Sequence, residues 1–394
     1  MSVSTKIKGY MENASWIRKM FEQGIELKAQ YGADKVFDFS LGNPNLEPPD
    51  EVRKAILKVL GSERPGLHAY MPNAGLRETR EAVAGYLTRD HGIRLSWENI
   101  IMTCGAGGGL NVALKTILDK DDEVLVLAPY FVEYFFYISN HNGNGVLVNT
   151  KEDFALDIDK IGKALGERTK AIIINSPNNP SGRVYDVGSM KALGKLLADH
   201  SRKTGKTVYL LSDEPYSKLV YDGVKVPSVF QAYQDSMLIT SHSKDLSLPG
   251  ERIGFIAANP RMGNLKEVID GLTFCNRILG FVNAPALMQR ILPYLDGVSV
   301  DVGEYERKRD LLCQGLQDAG YAFTRPEGAF YLFPKSPTPD DVLFVQTLLQ
   351  ENILGVPGKG FGTPGYFRLA YCVDDRVIEN SLEGFRRAIR KYRK

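Results

Sequence analysis

The sequence predicts an α/β fold in which helices cover a mainly parallel sheet, with a second and smaller lobe beside it. Between about residues 98 and 258, short apolar runs alternate with amphipathic segments, and this alternation is typical of a buried parallel sheet. The chain has 394 residues, of which 43% are hydrophobic. A chain of this length is expected to divide into two lobes.

Five apolar runs are expected to form strands of that sheet. They lie at residues 100–102, 124–128, 171–174, 208–211 and 237–239. Helices are expected between them, because the intervening apolar residues recur at helical spacing. One such stripe consists of Met190, Leu193, Leu196 and Leu197.

The two ends of the chain are expected to form the smaller lobe together. Residues 11–31 have a helical pattern, a long helix is expected around residues 285–318, and short strands are expected at 331–333 and 367–371. The predicted boundaries are residues 1–47 for an N-terminal arm and part of the small domain, 48–288 for the large domain, and 289–394 for the small C-terminal domain.

Charge and apolar patterning argue against several classes of function. Lysine plus arginine (49) nearly balance aspartate plus glutamate (47), so no electrostatic case exists for nucleic acid or an anionic membrane. The basic tail at 386–394 continues a helical pattern and is expected to be a solvated helix face. The apolar runs are too short to span a bilayer. Four scattered cysteines without CxxC spacing suggest neither a disulfide framework nor a metal site, and the cytoplasm is the expected location.

Each predicted strand is followed directly by a polar or glycine-rich cluster. These clusters lie at residues 105–109, 129–131, 176–182, 213–214 and 241–244. In open α/β sheets, ligands bind at the carboxyl ends of the strands. The sequence therefore predicts one crevice that receives a glycine cluster, an aromatic, an amide, a carboxylate and an amine.

The glycine cluster at 105–109 suits an anion, because it opens a helix with free backbone N–H groups. The signal is weak alone: Leu110 breaks the GxGxxG pattern, and an empty strand–helix turn explains the glycines equally well. Arg252, Ser241 and Ser243 strengthen it, since a phosphate needs a guanidinium fork and hydroxyl donors.

Lys244 lies among these groups and is a candidate Schiff-base lysine, with Asp213 as the partner of a protonated ring nitrogen. Taken singly, Lys244 could belong to a solvated surface turn and Asp213 could cap a helix. The surface-turn alternative is weak, because an exposed turn need not follow a buried strand directly.

Several segments in order make the sequence similar to the class I aminotransferases among the fold-type I pyridoxal-phosphate enzymes. They are HAYMPNAGLRETREAVAGYL, SPNNPSGRVY, SDEPYSKLVYDG, SHSKDLSLPGERIGF, PEGAFYLFP and FRLAY. The resemblance extends from about residue 39 to 371. It implies a mainly parallel seven-stranded sheet with helices on both faces, a smaller α+β domain, and residues 48–288 as the domain that binds pyridoxal 5'-phosphate.

The resemblance also implies how the cofactor is held. Lys244 would form the Schiff base and later move the substrate proton, and Asp213 would pair with the ring nitrogen. Tyr216 and Asn179 would hydrogen-bond the phenolic oxygen of the ring. The remaining cofactor contacts implied by the resemblance are Ser241, Arg252, Ala106, Gly107 and Phe131.

Substrate and subunit contacts follow from the same resemblance. Arg368, with Asn179, would bind the substrate α-carboxylate, and the backbone of Gly42 would approach the substrate. Tyr70 matches a tyrosine that reaches the phosphate in the neighbouring subunit, which implies a homodimer with shared active sites. No metal is expected.

The implied reaction is transfer of the amino group of an L-amino acid to a 2-oxo acid such as 2-oxoglutarate. Gly107 occupies the position of a lysine that helps some relatives read a distal carboxylate, so a broad range of aspartate, aromatic or neutral donors is expected. Trp16 and Tyr331 could line an apolar pocket, or simply pack in a core. A pyridoxal-phosphate carbon–sulfur lyase or an aminocyclopropane-carboxylate synthase remains an alternative. A pyridoxal-dependent transcription regulator and a Rossmann dehydrogenase fit the sequence less well.

Overall fold

The computed structural model describes residues 2–12, 16–62 and 65–392. Its strands are β1 Phe37–Asp38, β2 Ile100–Thr103, β3 Glu123–Ala128, β4 Asn144–Asn149, β5 Thr169–Asn175, β6 Tyr209–Asp213, β7 Ser236–Ser241, β8 Gly254–Ala258, β9 Tyr331–Leu332, β10 Ile353–Leu354, β11 Val356–Pro357 and β12 Phe367–Ala370. Its helices are α1 Thr5–Glu12, α2 Trp16–Tyr31, α3 Asp50–Leu60, α4 Arg77–His91, α5 Gly105–Ile117, α6 Tyr134–Asn140, α7 Ile158–Ala164, α8 Val187–Thr204, α9 Val229–Ala232, α10 Leu265–Ile278, α11 Ala286–Ile291, α12 Val302–Ala319, α13 Asp341–Leu349 and α14 Asp375–Arg390.

A seven-stranded sheet organises the large domain, with the strand order β2-β8-β7-β6-β5-β3-β4. Every pairing from β7 to β4 is parallel, while β8 runs antiparallel to both of its neighbours. The predicted mainly parallel seven-stranded sheet is therefore confirmed. The five predicted runs correspond to β2, β3, β5, β6 and β7.

Helices cover both faces of this sheet because its strands are apolar on both sides. Successive strand residues point to opposite faces. Ile172 and Ile174 join one core with residues of α3, α4, α8 and α11, whereas Ala171 and Ile173 join another with residues of α5, α6 and α10. This double burial explains the continuous apolar runs in the sequence.

Two strands of the large sheet were not among the predicted runs. β4 is an edge strand, and in its sequence NGVLVN only Val148 is fully buried, so its apolar signal is weak. β8 is fully buried, but its sequence GFIAA contains small residues, and only a 3-10 turn at Pro249–Glu251 separates it from the polar Lys244 segment.

The smaller lobe combines the two ends of the chain. Strand β1 pairs in parallel with β10, and β11, β12 and β9 form an antiparallel sheet. Helices α12 and α14 pack together, and their apolar residues share one core with β9 to β12. The domain boundaries near residues 47 and 288 stay predictions.

The prediction of one long helix around residues 285–318 is wrong. The structure has α11, a 3-10 turn at Leu292–Tyr294, a loop, and then α12. Pro293 lacks the N–H that a continuing helix needs. The second helix has its own start, because the Asp301 side chain accepts a hydrogen bond from the Gly303 N–H.

The helix expected at residues 11–31 is confirmed over Trp16–Tyr31, whereas residues 13–15 lie outside the described residues. The expected amphipathic C-terminal helix is also present: α14 buries Ile378, Phe385 and Ile389 while Arg387 and Arg390 are exposed. Within the described part of the chain, no helix is sufficiently long and apolar to cross a membrane.

The segments that follow β2, β3, β5, β6 and β7 all emerge at the same edge of the large sheet. β2 and β7 both run antiparallel to β8, so they point in the same direction as each other and as the other parallel strands. The carboxyl ends of five strands therefore converge, as the sequence predicted.

Candidate active site

A cavity of about 310 Å³ lies at this edge of the sheet, where residues of the large domain meet the small-domain strands β9 and β12. Its volume is in the range of small-molecule sites. The cavity brings together eleven of the residues singled out in the sequence: Gly42, Ala106, Gly107, Phe131, Asn179, Asp213, Tyr216, Ser241, Lys244, Arg252 and Arg368.

Tyr70 is the predicted site residue that does not line this cavity. It lies between α3 and α4 with 88% of its surface exposed. A tyrosine that contacts a second subunit must be exposed in a single chain, so its position is compatible with the expected role. That role stays a prediction.

Lys244 follows β7 in a loop, and its Nζ donates a hydrogen bond to the backbone oxygen of Gly42 at 2.8 Å. Desolvation lowers the pKa of Lys244 to about 8, and the positive charges of Arg368 and Arg252 act in the same direction. A substantial fraction of this amine is therefore neutral near pH 8. A neutral lysine amine is a nucleophile.

Asp213 ends β6 and carries an acceptor oxygen without a partner. Its Oδ2 accepts a hydrogen bond from the Tyr134 hydroxyl at 2.5 Å, whereas its buried Oδ1 has no hydrogen-bond partner. Burial raises the pKa of Asp213 to about 7, and the Tyr134 hydrogen bond opposes that rise. Because an unmade buried hydrogen bond costs about 1–3 kcal/mol, this oxygen favours binding of a group that can donate a hydrogen bond to it.

Arg368, on β12, is a buried cation that forms no ion pair with any described carboxylate. Its Nη1 donates to Asn179 Oδ1 at 3.1 Å and its Nη2 to the Ser40 backbone oxygen at 2.5 Å, while Nε has no partner. Burial lowers the pKa of Arg368. A buried guanidinium without a counter-ion favours binding of an anionic group such as a carboxylate.

The aromatic wall of the cavity explains why residue 42 is glycine. The hydroxyls of Tyr216 and Tyr331 lie 2.8 Å apart and form a hydrogen bond. A Cβ at position 42 would lie 1.9 Å from the Tyr331 hydroxyl oxygen. The backbone therefore passes this pair of tyrosines only because Gly42 has no side chain.

The opposite end of the cavity is positively polarised. Helix α5 begins at Gly105, so its free N–H groups and dipole point toward that end. The Arg252 guanidinium lies against Gly105, where a Cβ would come within 2.6 Å of Nη2. Ser241 and Ser243 contribute hydroxyls 3.0 Å apart. This combination suits a phosphate dianion.

Two residues that contact Asp213 were missed in the sequence: Asn175, which lines the cavity, and Tyr134, which lies behind it. Asn175, the last residue of β5, donates to the Asp213 backbone oxygen at 2.8 Å and accepts from the Asn179 N–H at 2.7 Å. It directly precedes the predicted 176–182 cluster, so extending that cluster by one residue would have included it. Tyr134 gives no comparable signal, because its contact with Asp213 depends on the tertiary fold.

Trp16 and Tyr331, which the sequence suggested for an apolar pocket, lie in different places. Tyr331 lines the cavity, whereas Trp16 packs against the small-domain core beside Gly360. Of these two residues, only Tyr331 can therefore contact a ligand in this cavity.

Comparison with known proteins identifies the family to which this sequence and fold are similar. Residues 34–385 match the family described as aminotransferase class I and II. The aspartate/prephenate aminotransferase of Thermus thermophilus is 34% identical over 93% of this chain and 94% of its own. The aromatic-amino-acid aminotransferase 2 of Thermococcus litoralis is 30% identical over 99% of both chains. A crystal structure of an aminotransferase from Eubacterium rectale superposes with a TM-score of 0.97 at 36% identity, covering all of both chains.

Tyr134→Phe is expected to raise the pKa of Asp213 above about 7. The substitution removes the hydroxyl that stabilises the carboxylate, and a hydrogen bond to a charged group contributes about 1.5–3 kcal/mol, equivalent to about 1–2 pH units. Carboxyl NMR titration of the cofactor-free protein measures the change. Tyr137→Phe is the control, because Tyr137 lines the same cavity without a hydrogen bond to Asp213. An unaltered Asp213 pKa in Tyr134→Phe would contradict this account.

Proposed function

The chain belongs to the class I and II aminotransferase family and is a transaminase, and we propose that it binds pyridoxal 5'-phosphate on Lys244 in the cavity described above. The observation that carries the proposal is the convergence of three chemically distinct groups on one cavity. These are an amine of lowered pKa, a buried carboxylate oxygen without a partner, and a buried guanidinium without a counter-ion.

The residues present fit the cofactor group by group. Its phosphate matches the start of α5 with Arg252 and Ser241, and its protonated ring nitrogen matches the free Oδ1 of Asp213. Phe131 lines the same cavity and would offer an aromatic surface to the ring. When bound, pyridoxal phosphate supplies an aldehyde that condenses with amines and a ring that accepts electrons from the substrate Cα–H bond.

Asp213 and Lys244 would divide the proton chemistry. Asp213, with Tyr134 donating to one oxygen, would hold a proton on the ring nitrogen of the bound cofactor while its carboxylate is ionised. Lys244, with a pKa of about 8, would be available as a neutral amine to take the substrate α-proton and return it. Tyr216 and Asn179 would hydrogen-bond the phenolic oxygen of the ring.

Arg368 would bind the α-carboxylate of the amino acid through two parallel hydrogen bonds, a geometry that lysine cannot reproduce. Asn179, which already accepts from Arg368 Nη1 at 3.1 Å, holds the guanidinium in place. The Gly42 backbone oxygen lies beside Lys244, where the substrate amine would arrive.

We propose a broad range of amino donors, including aspartate, aromatic and neutral amino acids, with 2-oxoglutarate as an acceptor. Lys244, Arg252 and Arg368 are the cationic side chains among the described residues of the cavity wall. Each has a role toward the cofactor or the α-carboxylate, so the wall from one chain offers no further cation for a distal carboxylate. The relatives include an aspartate/prephenate and an aromatic-amino-acid aminotransferase. These names support a broad range of amino donors.

We also propose a homodimer with shared active sites and a cytoplasmic location. Several large apolar side chains are exposed in the single chain, among them Leu57 and Leu60 of α3, Phe274 and Ile278 of α10, and Tyr70 and Tyr294. Exposed apolar side chains of this kind are available for burial between subunits. In this dimer, Tyr70 would reach the phosphate in the neighbouring subunit. All four cysteines are free thiols, which suits a reducing compartment.

Lys244→Ala is expected to abolish the visible absorbance of the holoenzyme and to lower amino transfer by at least about 10²-fold, the contribution of a positioned base. In the wild type, capture of added pyridoxal phosphate should accelerate as the pH rises through about 8, because only the neutral amine attacks the aldehyde. Absorbance and stopped-flow measurements test both, with Lys335→Ala, an exposed lysine, as the control. A wild-type protein that is colourless and does not bind added pyridoxal phosphate would refute the assignment of Lys244 as the cofactor lysine.

A donor panel with 2-oxoglutarate tests the proposed breadth. We expect kcat/KM values for aspartate, phenylalanine and leucine within about 10²-fold of one another, since apolar pocket contacts discriminate only weakly. Arg368→Lys should reduce kcat/KM for every donor alike, because all donors share the α-carboxylate. Exclusive use of aspartate would contradict the breadth. Formation of pyruvate and ammonia from cystathionine without amino transfer would identify the lyase alternative instead.

Hybrid dimers test whether Tyr70 acts across the interface. Loss of one hydrogen bond to the phosphate in Tyr70→Phe should weaken cofactor binding by about 10- to 150-fold. If the sites are shared, each site takes Lys244 from one chain and Tyr70 from the other. A hybrid of one Tyr70→Phe chain and one Lys244→Ala chain then contains one site in which both residues are wild type. That hybrid should be active at a cofactor concentration too low to load the Tyr70→Phe homodimer. If Tyr70 serves its own chain, the hybrid stays inactive. Light scattering reports the oligomeric state.

A further inference from the structure

The hydroxyl of Tyr137 is a polar group of the active-site cavity that the chemistry described above does not use. Tyr137 lies on α6 and lines the cavity together with Gly107 and Arg252. Its side chain is partly buried, and its hydroxyl has no hydrogen-bond partner among the described residues. Unlike the free atoms of Asp213 and Arg368, this hydroxyl is not fully shielded from solvent. It is therefore available to a molecule in the cavity.

The helix that carries Tyr137 is anchored at both ends. Tyr134, Tyr137 and His141 are spaced three and four residues apart, so they lie on one side of α6. The Tyr134 hydroxyl donates to Asp213 Oδ2 at 2.5 Å, and His141 Nε2, directly after the helix, lies 3.1 Å from Asn111 Oδ1 on α5. Tyr137 lies between these two contacts, so the helix positions its hydroxyl without a hydrogen bond of its own.

The missing side chain of Gly107 leaves room for this hydroxyl. A Cβ at position 107 would lie 3.0 Å from the Tyr137 hydroxyl oxygen, and the next atom, Tyr137 Cζ, would be 3.7 Å away. The Gly107 backbone oxygen accepts from Asn111 Nδ2 at 2.9 Å, and Asn111 is the residue that contacts His141. One asparagine therefore connects the first turn of α5 to the end of α6. The Tyr137 hydroxyl occupies the space that a side chain at position 107 would fill.

That space belongs to the positively polarised end of the cavity. The first turns of α5, with the sequence GAGGG, offer backbone N–H groups but no side-chain donor. A phosphate group has three strong acceptor oxygens, so it can accept hydrogen bonds from several directions at once. Tyr137 supplies a hydroxyl beside a helix start that has only its backbone to offer.

The local charges keep this hydroxyl protonated. Burial raises the pKa of Tyr137 to about 12, and the charges of Glu133 and Asp213 act in the same direction, while Arg252 opposes them. At neutral pH the hydroxyl is therefore a hydrogen-bond donor. The opposing effect of Arg252 also places the hydroxyl near the guanidinium that would bind phosphate. A hydrogen bond from a neutral donor to an anion is stronger than one between neutral groups.

We propose that the Tyr137 hydroxyl donates a hydrogen bond to the phosphate of the bound cofactor, in the space that Gly107 leaves open. The inference rests on the proposed function, because it requires pyridoxal 5'-phosphate in this cavity. It adds a cofactor contact from α6 to those expected from the start of α5 and from residues 241–252.

Two forms of the cofactor test the contact with phosphate. Pyridoxal has the ring and the aldehyde of pyridoxal 5'-phosphate but lacks the phosphate. Absorbance titration of the cofactor-free protein gives a dissociation constant for each form, and the ratio of the pyridoxal value to the pyridoxal 5'-phosphate value measures the preference for phosphate. Tyr137→Phe should lower this ratio by about 10- to 150-fold, as expected for loss of one hydrogen bond to a charged group. Its affinity for pyridoxal should equal that of the wild type.

Tyr134→Phe is the matched control. It removes a hydroxyl from the same helix, but one that contacts Asp213 rather than the phosphate end of the cavity. Any loss of affinity in Tyr134→Phe should affect the two forms of the cofactor alike. The preference for phosphate should therefore stay at the wild-type value.

Gly107→Ala tests whether the two residues share one space. The added methyl group would lie 3.0 Å from the Tyr137 hydroxyl oxygen and displace it, so the preference for phosphate should fall. In Tyr137→Phe that oxygen is absent and the next atom is at 3.7 Å, so adding Gly107→Ala should cause no further fall. Alanine is favourable within a helix, so a disrupted α5 would not account for the result.

The outcomes separate this inference from the function on which it rests. A wild-type protein that binds neither form of the cofactor would overturn the proposed function and this inference with it. Normal cofactor binding with an unaltered preference for phosphate in Tyr137→Phe would mean that the hydroxyl contacts only water or substrate, and would overturn this inference alone. If Tyr137→Phe does not fold, an unaltered preference in Gly107→Ala would have the same meaning.

Discussion

Desolvation of charged groups at one edge of the sheet is the constraint to which the rest of the structure is fitted. Burial raises the pKa of Asp213 and lowers those of Lys244 and Arg368, so all three are less stable as ions than they would be in water. Each keeps only part of its hydrogen-bonding capacity satisfied within the chain. Large apolar cores on both faces of the sheet offset the cost of holding such groups. A bound ligand can satisfy the hydrogen-bonding capacity that the chain leaves unused.

The direction of β8 explains how one loop carries so many of these groups. β7 runs toward the active edge, and β8 returns antiparallel to it, so the connection from Ser241 to Gly254 stays at that edge throughout. Ser241, Lys244 and Arg252 therefore lie beside the same cavity. A parallel crossover would have needed a helix across the sheet face and a return from its opposite edge.

The sequence predicted the strands and the strand-end residues well, because both signals are local. Burial on both faces produces the continuous apolar runs at residues 171–174 in β5 and 209–211 in β6. A polar residue directly after such a run must lie near the sheet edge. The expected helix at 285–318 was wrong, because apolar spacing continued across a break at Pro293. Tyr134 could not be found, since its partner Asp213 is 79 residues away and the pairing exists only in the folded chain. The role of Tyr70 depends on a second chain, which one sequence cannot position.

The contacts of residues 40 and 42 have a consequence for how this site tolerates mutation. Lys244 and Arg368 donate to the backbone oxygens of Gly42 and Ser40, so no substitution there can delete either acceptor. Side-chain size at position 42 is restricted instead, because Tyr331 occupies the adjoining space. The substitutions permitted at position 42 are therefore limited by side-chain size rather than by polarity. The hydrogen bonds that Lys244 and Arg368 make to this segment do not depend on the side chains of residues 40 and 42.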